Sequence, residues 1–304
     1  MSIEIVRAED LGFCFGVKRA INMILKEAKD NVILYSLGPI IHNPQEVERL
    51  KKLGVITVNS IDEVPDNSYV IIRSHGIPKE EFEKAKEKNL KIIDATCPFV
   101  KKAQMYVANL SKEGYKVVVV GKPEHPEVKG LVSYGNNTIV IDPEEYYNIP
   151  ENERVEFLEY KIFKAEDLVD IREDRVVKYK RVGFVAQTTL KIEDYKNIIN
   201  DIMPLVENIK VYNTICDATR KRQEATRRLA KIVDLIIVIG GKNSSNTNKL
   251  YSIAKKEAKK AYFIETKDEL NPEWFKDVKR VGISAGASTP DWIIKDVEIS
   301  IKKM

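Results

Sequence analysis

The stretch Gly12-Phe13-Cys14-Phe15-Gly16-Val17, followed by Ala20, Ile21, Ile24, Leu25 and Ala28, decides how the chain folds. Its apolar positions recur at i, i+3, i+4 and i+7, the spacing of an amphipathic helix with a cysteine at its start. A strand-like run, Val32-Ile33-Leu34-Tyr35, follows and ends in the polar turn Gly38-Pro39-Ile40-Ile41-His42-Asn43-Pro44. The same order returns twice. Thr96-Cys97-Pro98-Phe99-Val100 opens a helix with Val100, Ala103, Val107 and Leu110 on one face. A strand at 117–120 then reaches Gly121-Lys122-Pro123-Glu124-His125-Pro126-Glu127. Ile215-Cys216-Asp217-Ala218 opens a third helix with Ala225, Leu229 and Ile232 on one face, and a strand at 236–239 reaches Gly240-Gly241-Lys242-Asn243-Ser244-Ser245-Asn246. Counting 28 residues forward from each cysteine lands on His42, His125 and Ser244.

Each repeat carries a second strand ending in a polar turn: 69–72 before Arg73-Ser74-His75, 182–186 before Gln187-Thr188-Thr189, and 281–285 before Gly286-Ala287-Ser288. Helices alternating with short β-rich strands predict an α/β fold with parallel-rich sheets. Three similar small α/β domains are expected, about 1–96, 97–215 and 216–304, arranged pseudo-threefold around a central cavity that faces the strand ends. The second repeat is longer, and its excess near 146–180 reads as a peripheral insertion without chemistry, strand-like at Val155-Glu156-Phe157-Leu158 and Arg175-Val176-Val177.

The 304 residues are 43% apolar and 32% charged with a net charge of +4, a globular balance that gives nucleic acid no basic surplus to bind. Apolar runs are too short to span a bilayer. Met1-Ser2-Ile3-Glu4-Ile5 lacks a signal-peptide pattern, so a cytoplasmic protein is expected; a monomer is favoured, with the oligomeric state left open by the sequence.

Three cysteines, Cys14, Cys97 and Cys216, are an odd number for a disulfide framework and include no C-x-x-C pair. Taken alone they fit buried inert thiols. Their place before helices, where amide groups favour thiolates, points instead to a soft-metal site. An iron–sulfur cubane takes four cysteines, so three would leave one iron open to substrate. The competing reading is a Cys3His zinc site using His42, His75 or His125, although structural zinc ligands come in local pairs and here the gaps are 83 and 119 residues. All three histidines lie in the polar turns. With Thr188, Ser244, Ser245, Asn246 and Ser288 they are partners for phosphate oxygens. No Walker or G-x-G-x-x-G loop is present, which speaks against a nucleotide. Glu127 is the one acid embedded in these turns, either an exposed loop residue or a proton donor.

These residues resemble the family of 4-hydroxy-3-methylbut-2-enyl diphosphate reductase (IspH/LytB), an enzyme of the non-mevalonate isoprenoid route. The matching segments are 12–18, 38–43, 73–76, 94–98, 125–128, 187–190, 214–216, 242–246 and 285–291, in order along nearly the whole chain. The resemblance implies a trefoil of three α/β domains around a [4Fe–4S] cluster on Cys14, Cys97 and Cys216. It implies that His42, His75, Ser244, Asn246 and Ser288 hold a diphosphate. His125, Thr188 and Glu127 would stand near the substrate hydroxyl, with Glu127 the proton source for loss of that hydroxyl as water.

Basic residues also recur after each cysteine: Lys18-Arg19, Lys101-Lys102 and Arg220-Lys221-Arg222. They read as ordinary solvated helix faces or as a collar steering an acidic one-electron donor such as a ferredoxin or flavodoxin. Two rival readings stay open: a redox-neutral dehydratase using the same open iron, and a metal-bearing binding protein without turnover.

Overall fold

The computed structural model describes residues 3–28, 32–162 and 179–304. The first repeat is preceded by strand β1 (Glu4–Arg7) and consists of α1 (Phe15–Glu27), β2 (Leu34–Leu37), α2 (Pro44–Lys51), β3 (Val55–Val58), β4 (Tyr69–Ile72), α3 (Lys79–Glu87) and β5 (Lys91–Asp94). The second contains α4 (Pro98–Lys112), β6 (Lys116–Val120), α5 (Pro126–Val132), β7 (Thr138–Ile141), α6 (Pro143–Asn148), α7 (Arg154–Ile162), β8 (Tyr179–Ala186), α8 (Ile192–Ile202) and β9 (Val206–Tyr212). The third contains α9 (Asp217–Ala230), β10 (Leu235–Ile239), α10 (Ser245–Glu257), β11 (Ala261–Ile264), β12 (Arg280–Ala285) and α11 (Asp291–Lys302). No helix among the described residues is long and apolar enough to cross a membrane.

Among the described residues every strand pairing is parallel, and the three four-stranded sheets share one order: β3-β2-β4-β5, β7-β6-β8-β9 and β11-β10-β12-β1. The fold is therefore α/β, as the alternating pattern predicts. One boundary is corrected. Strand β1, expected with the first domain of 1–96, pairs with β12 and fills the fourth position of the third sheet. The physical reason is an edge: β12 pairs with β10 on one side, and β1 satisfies the N–H and C=O groups that its other side would leave unpaired. Each fourth strand then leads into the next cysteine helix, β1 into Cys14, β5 into Cys97 and β9 into Cys216.

The central strands are apolar on both faces because helices cover both. Val118, Val120, Phe184 and Ala186 pack into one core, and Val117, Val119 and Val185 pack into another. In the third sheet Leu235, Ile237 and Ile239 alternate in the same way with Ile236 and Val238. The helix faces match the expected stripes: α1 buries Val17, Ala20, Ile21 and Ile24, and α4 buries Val100, Ala103, Val107 and Leu110. Ile232 is the exception. It lies beyond the end of α9 and is exposed.

Two local expectations are corrected. The first-repeat strand begins at Leu34, two residues later than its apolar run. Residues 155–158 are helical, inside α7, where Leu158 and Ile162 turn a single apolar edge into the core. Arg175-Val176-Val177 lies outside the described residues.

The chain divides into two compact units. Unit 1 holds Met1–Ser74, Leu90–Ala95 and Cys216–Met304, and so contains the first and third sheets. Unit 2 holds His75–Asn89 and Thr96–Ile215 around the second sheet.

Candidate active site

The cysteines occupy equivalent positions: Cys14, Cys97 and Cys216 are the N-cap residues of α1, α4 and α9. All three are half-buried. In unit 1, the N–H of Cys14 donates to the Ala287 carbonyl at 3.1 Å, which ties the α1 start to the turn after β12. Burial pushes the Cys216 thiol above its ordinary range. The Ala218 and Thr219 amides pull it back, the neighbouring Cys14 pushes it up, and Arg222 pulls it down. Cys14 and Cys216, the latter desolvated at a helix start, are soft donors that a bound soft cation would hold as thiolates. These residues fit a thiolate-ligated metal group.

Arg222 is not part of a solvated collar. It is 5% exposed, donating from Nη2 to the Gly12 carbonyl at 2.9 Å and from Nη1 to the Ala218 carbonyl at 3.1 Å. It straps α9 to the loop in front of Cys14. On the same helix Arg220 pairs with Asp217 and Glu224, and Lys221 with Asp217, so acids within one turn neutralise both.

A polar pocket wall forms in unit 1 from the turns after β2, β10 and β12. The Ser288 hydroxyl donates to the His42 carbonyl at 3.3 Å, and Gly241 lies against that same carbonyl. Ser244 caps α10, its Oγ accepting from the Thr247 N–H at 3.3 Å, so Ser245 and Asn246 occupy the first turn of a 13-residue helix. Ser244 and Ser288 are buried, and Ser245 is half-buried. Asn246 is only 6% exposed, yet among the described residues neither its amide nitrogen nor its oxygen has a hydrogen-bond partner. Buried amides are nearly always satisfied. This one sits at a helix N-terminus, where free N–H groups and the dipole favour anions.

Arg73 joins this wall although the sequence reading did not single it out. Gly38 takes φ +73°, and a Cβ there would stand 2.5 Å from Arg73 Nη1, so only glycine leaves room for the guanidinium. Burial, with Arg73 adding to it, holds the His42 imidazolium below its ordinary 6.5. His42 is therefore mainly neutral at pH 7 until an anion arrives to draw the proton on.

Unit 2 collects the remaining residues. Glu127 is not an exposed loop acid: at 2% exposure it accepts from the Thr188 N–H at 2.6 Å and from the Thr188 hydroxyl at 2.7 Å. His125 caps α5 by accepting the Glu127 N–H on Nδ1 at 3.2 Å, which makes Nε2 the protonated nitrogen of a neutral ring. The His75 and His125 rings meet edge to face with centroids 5.6 Å apart. Gln187 ties the turn after β8 to the turn after β6, accepting from the Lys122 N–H at 3.0 Å and donating to Thr189 Oγ1 at 2.9 Å. Thus Cys14, Cys216, His42, Ser244, Ser245, Asn246 and Ser288 belong to unit 1. Cys97, His75, His125, Glu127 and Thr188 belong to unit 2.

Residues 5–302 match the profile of the family described as LytB protein. A protein of Aquifex aeolicus (strain VF5) named 4-hydroxy-3-methylbut-2-enyl diphosphate reductase is 48% identical, over 99% of this chain and 97% of its own. One of the same name from a Nitratiruptor species is 46% identical over 99% of both chains. Among solved structures, one of (E)-4-hydroxy-3-methyl-but-2-enyl diphosphate reductase, the terminal enzyme of the non-mevalonate pathway, is 47% identical with a TM-score of 0.69, covering 99% of this chain and 100% of that one. The E-1-hydroxy-2-methyl-but-2-enyl-4-diphosphate reductase of Plasmodium falciparum is 28% identical with a TM-score of 0.79, covering 98% and 88%.

Proposed function

The chain belongs to the LytB family, and from that premise we propose that it reduces (E)-4-hydroxy-3-methylbut-2-enyl diphosphate to isopentenyl and dimethylallyl diphosphate, the last step of the non-mevalonate isoprenoid route. The observation that carries this reading is Asn246, buried without a partner among the described residues between the Ser244 cap and the α10 N-terminus. A diphosphate supplies what that wall lacks, oxygens for the Asn246 amide nitrogen and the first-turn N–H groups. The Ser288 hydroxyl and the His42 and His75 rings are the further donors that the family resemblance assigns to it, and the polar turn that carries Asn246 adds the Ser245 hydroxyl.

The reaction breaks the allylic C–O bond and forms one C–H bond. It takes up two electrons and two protons and releases water. When bound, a [4Fe–4S] cluster on Cys14, Cys97 and Cys216 supplies one-electron transfer and an iron without a thiolate as Lewis acid toward the hydroxyl. The protein's own part is proton delivery. Glu127, clamped through both oxygens, is the proton source, and the Thr188 hydroxyl, able to accept and donate at once, is placed to pass a proton between it and the substrate oxygen. His125 orients the α5 start that carries Glu127. The electrons come singly from a donor protein of the ferredoxin or flavodoxin class, in the cytoplasm where thiols stay reduced.

The test is anaerobic. The purified protein should be brown with close to four iron and four sulfide per chain. It should convert the substrate to the two diphosphate products only when reduced methyl viologen is supplied. Conversion without a reductant would establish a dehydratase instead, and a colourless zinc protein would overturn the reading.

A further inference from the structure

Resting on the reductase reading, we propose that the outer face of α1 is the docking surface for the electron donor, and that this donor is an acidic protein. Helix α1 starts at the residue after Cys14 and has no acid in its first turn. Two shallow cavities, of about 400 and 410 Å³, flank it and share Lys18 and Asn22. The first is floored by Phe13, Ile21 and Trp292 and rimmed by Arg49 and Lys295. The second is floored by Phe15 and Met23 and rimmed by Arg19 and Lys26.

The aromatic rings are open to solvent: Phe15 is 65% exposed and Trp292 41%. Exposed aromatics, a methionine and arginines grouped on one patch are the composition of a protein–protein interface core. The charge is one-sided. Five cations face two acids, Glu46 and Asp291. Glu46 is already occupied, accepting from Arg49 Nη2 at 2.7 Å, Arg49 Nε at 2.9 Å and the Trp292 indole N–H at 3.0 Å. An acidic surface complements what remains. Arg220 and Lys221 of α9 are neutralised by acids of their own helix, whereas the first turn of α1 carries no acid. The collar suggested by the repeated basic pairs thus narrows, within unit 1, to α1. A reductant must reach this enzyme twice per turnover, each visit oxidising one donor molecule by one electron. A basic face fixed to the chain beside Cys14 speeds those encounters.

The test uses the anaerobically purified holoenzyme and a plant-type [2Fe–2S] ferredoxin. We expect Lys18→Glu/Lys26→Glu to raise the KM for reduced ferredoxin about tenfold or more at low salt, fading as salt is added. Phe15→Ala should raise it at all salt concentrations. Lys18→Arg/Lys26→Arg should behave as wild type, and every variant should turn over with reduced methyl viologen within about twofold of wild type. Gallium-substituted ferredoxin, which carries no electrons, should lose affinity in the same order. An unchanged KM and unchanged gallium-ferredoxin affinity, or equal losses with both reductants, would overturn the proposal. So would binding of a single-stranded oligonucleotide to this face in place of ferredoxin. If wild-type protein is inert with viologen, the reductase reading fails, and the gallium-ferredoxin titration still decides the docking surface.

Discussion

Replacing Glu127 by Gln separates proton chemistry from architecture, because the environment of the side chain suits both groups. Thr188 presents an N–H to Oε1 at 2.6 Å and a hydroxyl to Oε2 at 2.7 Å. A glutamine can accept the first with its carbonyl and donate to the second with its amide, since a hydroxyl accepts as well as it donates. In its protonated, acid-competent form Glu127 makes two neutral hydrogen bonds of about 0.5–1.5 kcal/mol each, which glutamine reproduces; relative to the carboxylate form, whose bonds are about 1.5–3 kcal/mol each, the loss is about 2 kcal/mol. The variant no longer desolvates a charge at a site 2% exposed, which offsets part of that loss. Stability should therefore shift by less than about 2 kcal/mol, a few degrees in Tm for a chain of this size. Removing a general acid lowers the rate by about 10²–10⁴, or about 2.7–5.5 kcal/mol of barrier. Anaerobic turnover with reduced methyl viologen, beside the visible spectrum and the melting curve of the same sample, reads all three quantities. A kcat within about threefold of wild type, with spectrum and Tm intact, would remove Glu127 from the mechanism.

Other outcomes follow from single positions. Asn246→Ala should raise the substrate KM by about 10- to 100-fold through lost bonds to a charged ligand. The same change deletes a buried amide with no partner among the described residues, so Tm should hold or rise; a KM within twofold would take Asn246 out of the binding site. For His42, whose folded pKa lies below 6.5, the unfolded chain binds more protons between that pKa and 6.5. Stability therefore rises with pH through this window and falls on acidification. His42→Gln should flatten part of the Tm profile between pH 7 and 5, and an unchanged slope would contradict the assignment. Gly183→Ala places a methyl 2.6 Å from both Leu110 methyls in the middle of β8. Overpacking should cost about 1–3 kcal/mol in chemical denaturation, and wild-type stability would show that Leu110 has room to yield.

The architecture was legible where one local rule decides. Apolar positions at helical spacing gave α1 and α4, and Pro44, Pro98 and Pro126 each stand at a helix start, where a missing N–H costs nothing. What was hidden needed partners far along the chain. Nothing in Glu4–Arg7 names β12, nearly the whole sequence away, as its neighbour. Arg222 looks like any basic helix residue until the Gly12 carbonyl, 210 positions off, is seen to hold it. Arg73 stands in the sequence only as part of the turn before His75, because the sign of its place is a glycine, Gly38, rather than anything about the arginine itself. The helix at 154–162 was misread because its short apolar run, Phe157-Leu158, has no length in which to show a period.

The cysteine and the polar turn 28 residues behind it are held by different parts of the fold, and this explains why their separation repeats. Each cysteine follows the end of a fourth strand, β1, β5 or β9. Each turn follows the next strand, β2, β6 or β10, after one helix of 13 to 15 residues. The interval is one helix-and-strand passage whose two ends are fixed by separate hydrogen-bonded ladders. Inserting one residue inside α1 would rotate everything beyond it by about 100° and lift it by about 1.5 Å. Either the Val17, Ala20, Ile21 and Ile24 stripe would leave its core, or Cys14 would leave its place against Ala287. Lengthening between β7 and β8 carries no such penalty, because the sheet on either side keeps its register and neither Cys97 nor His125 lies within that span. The second repeat carries its extra α6 and α7 there.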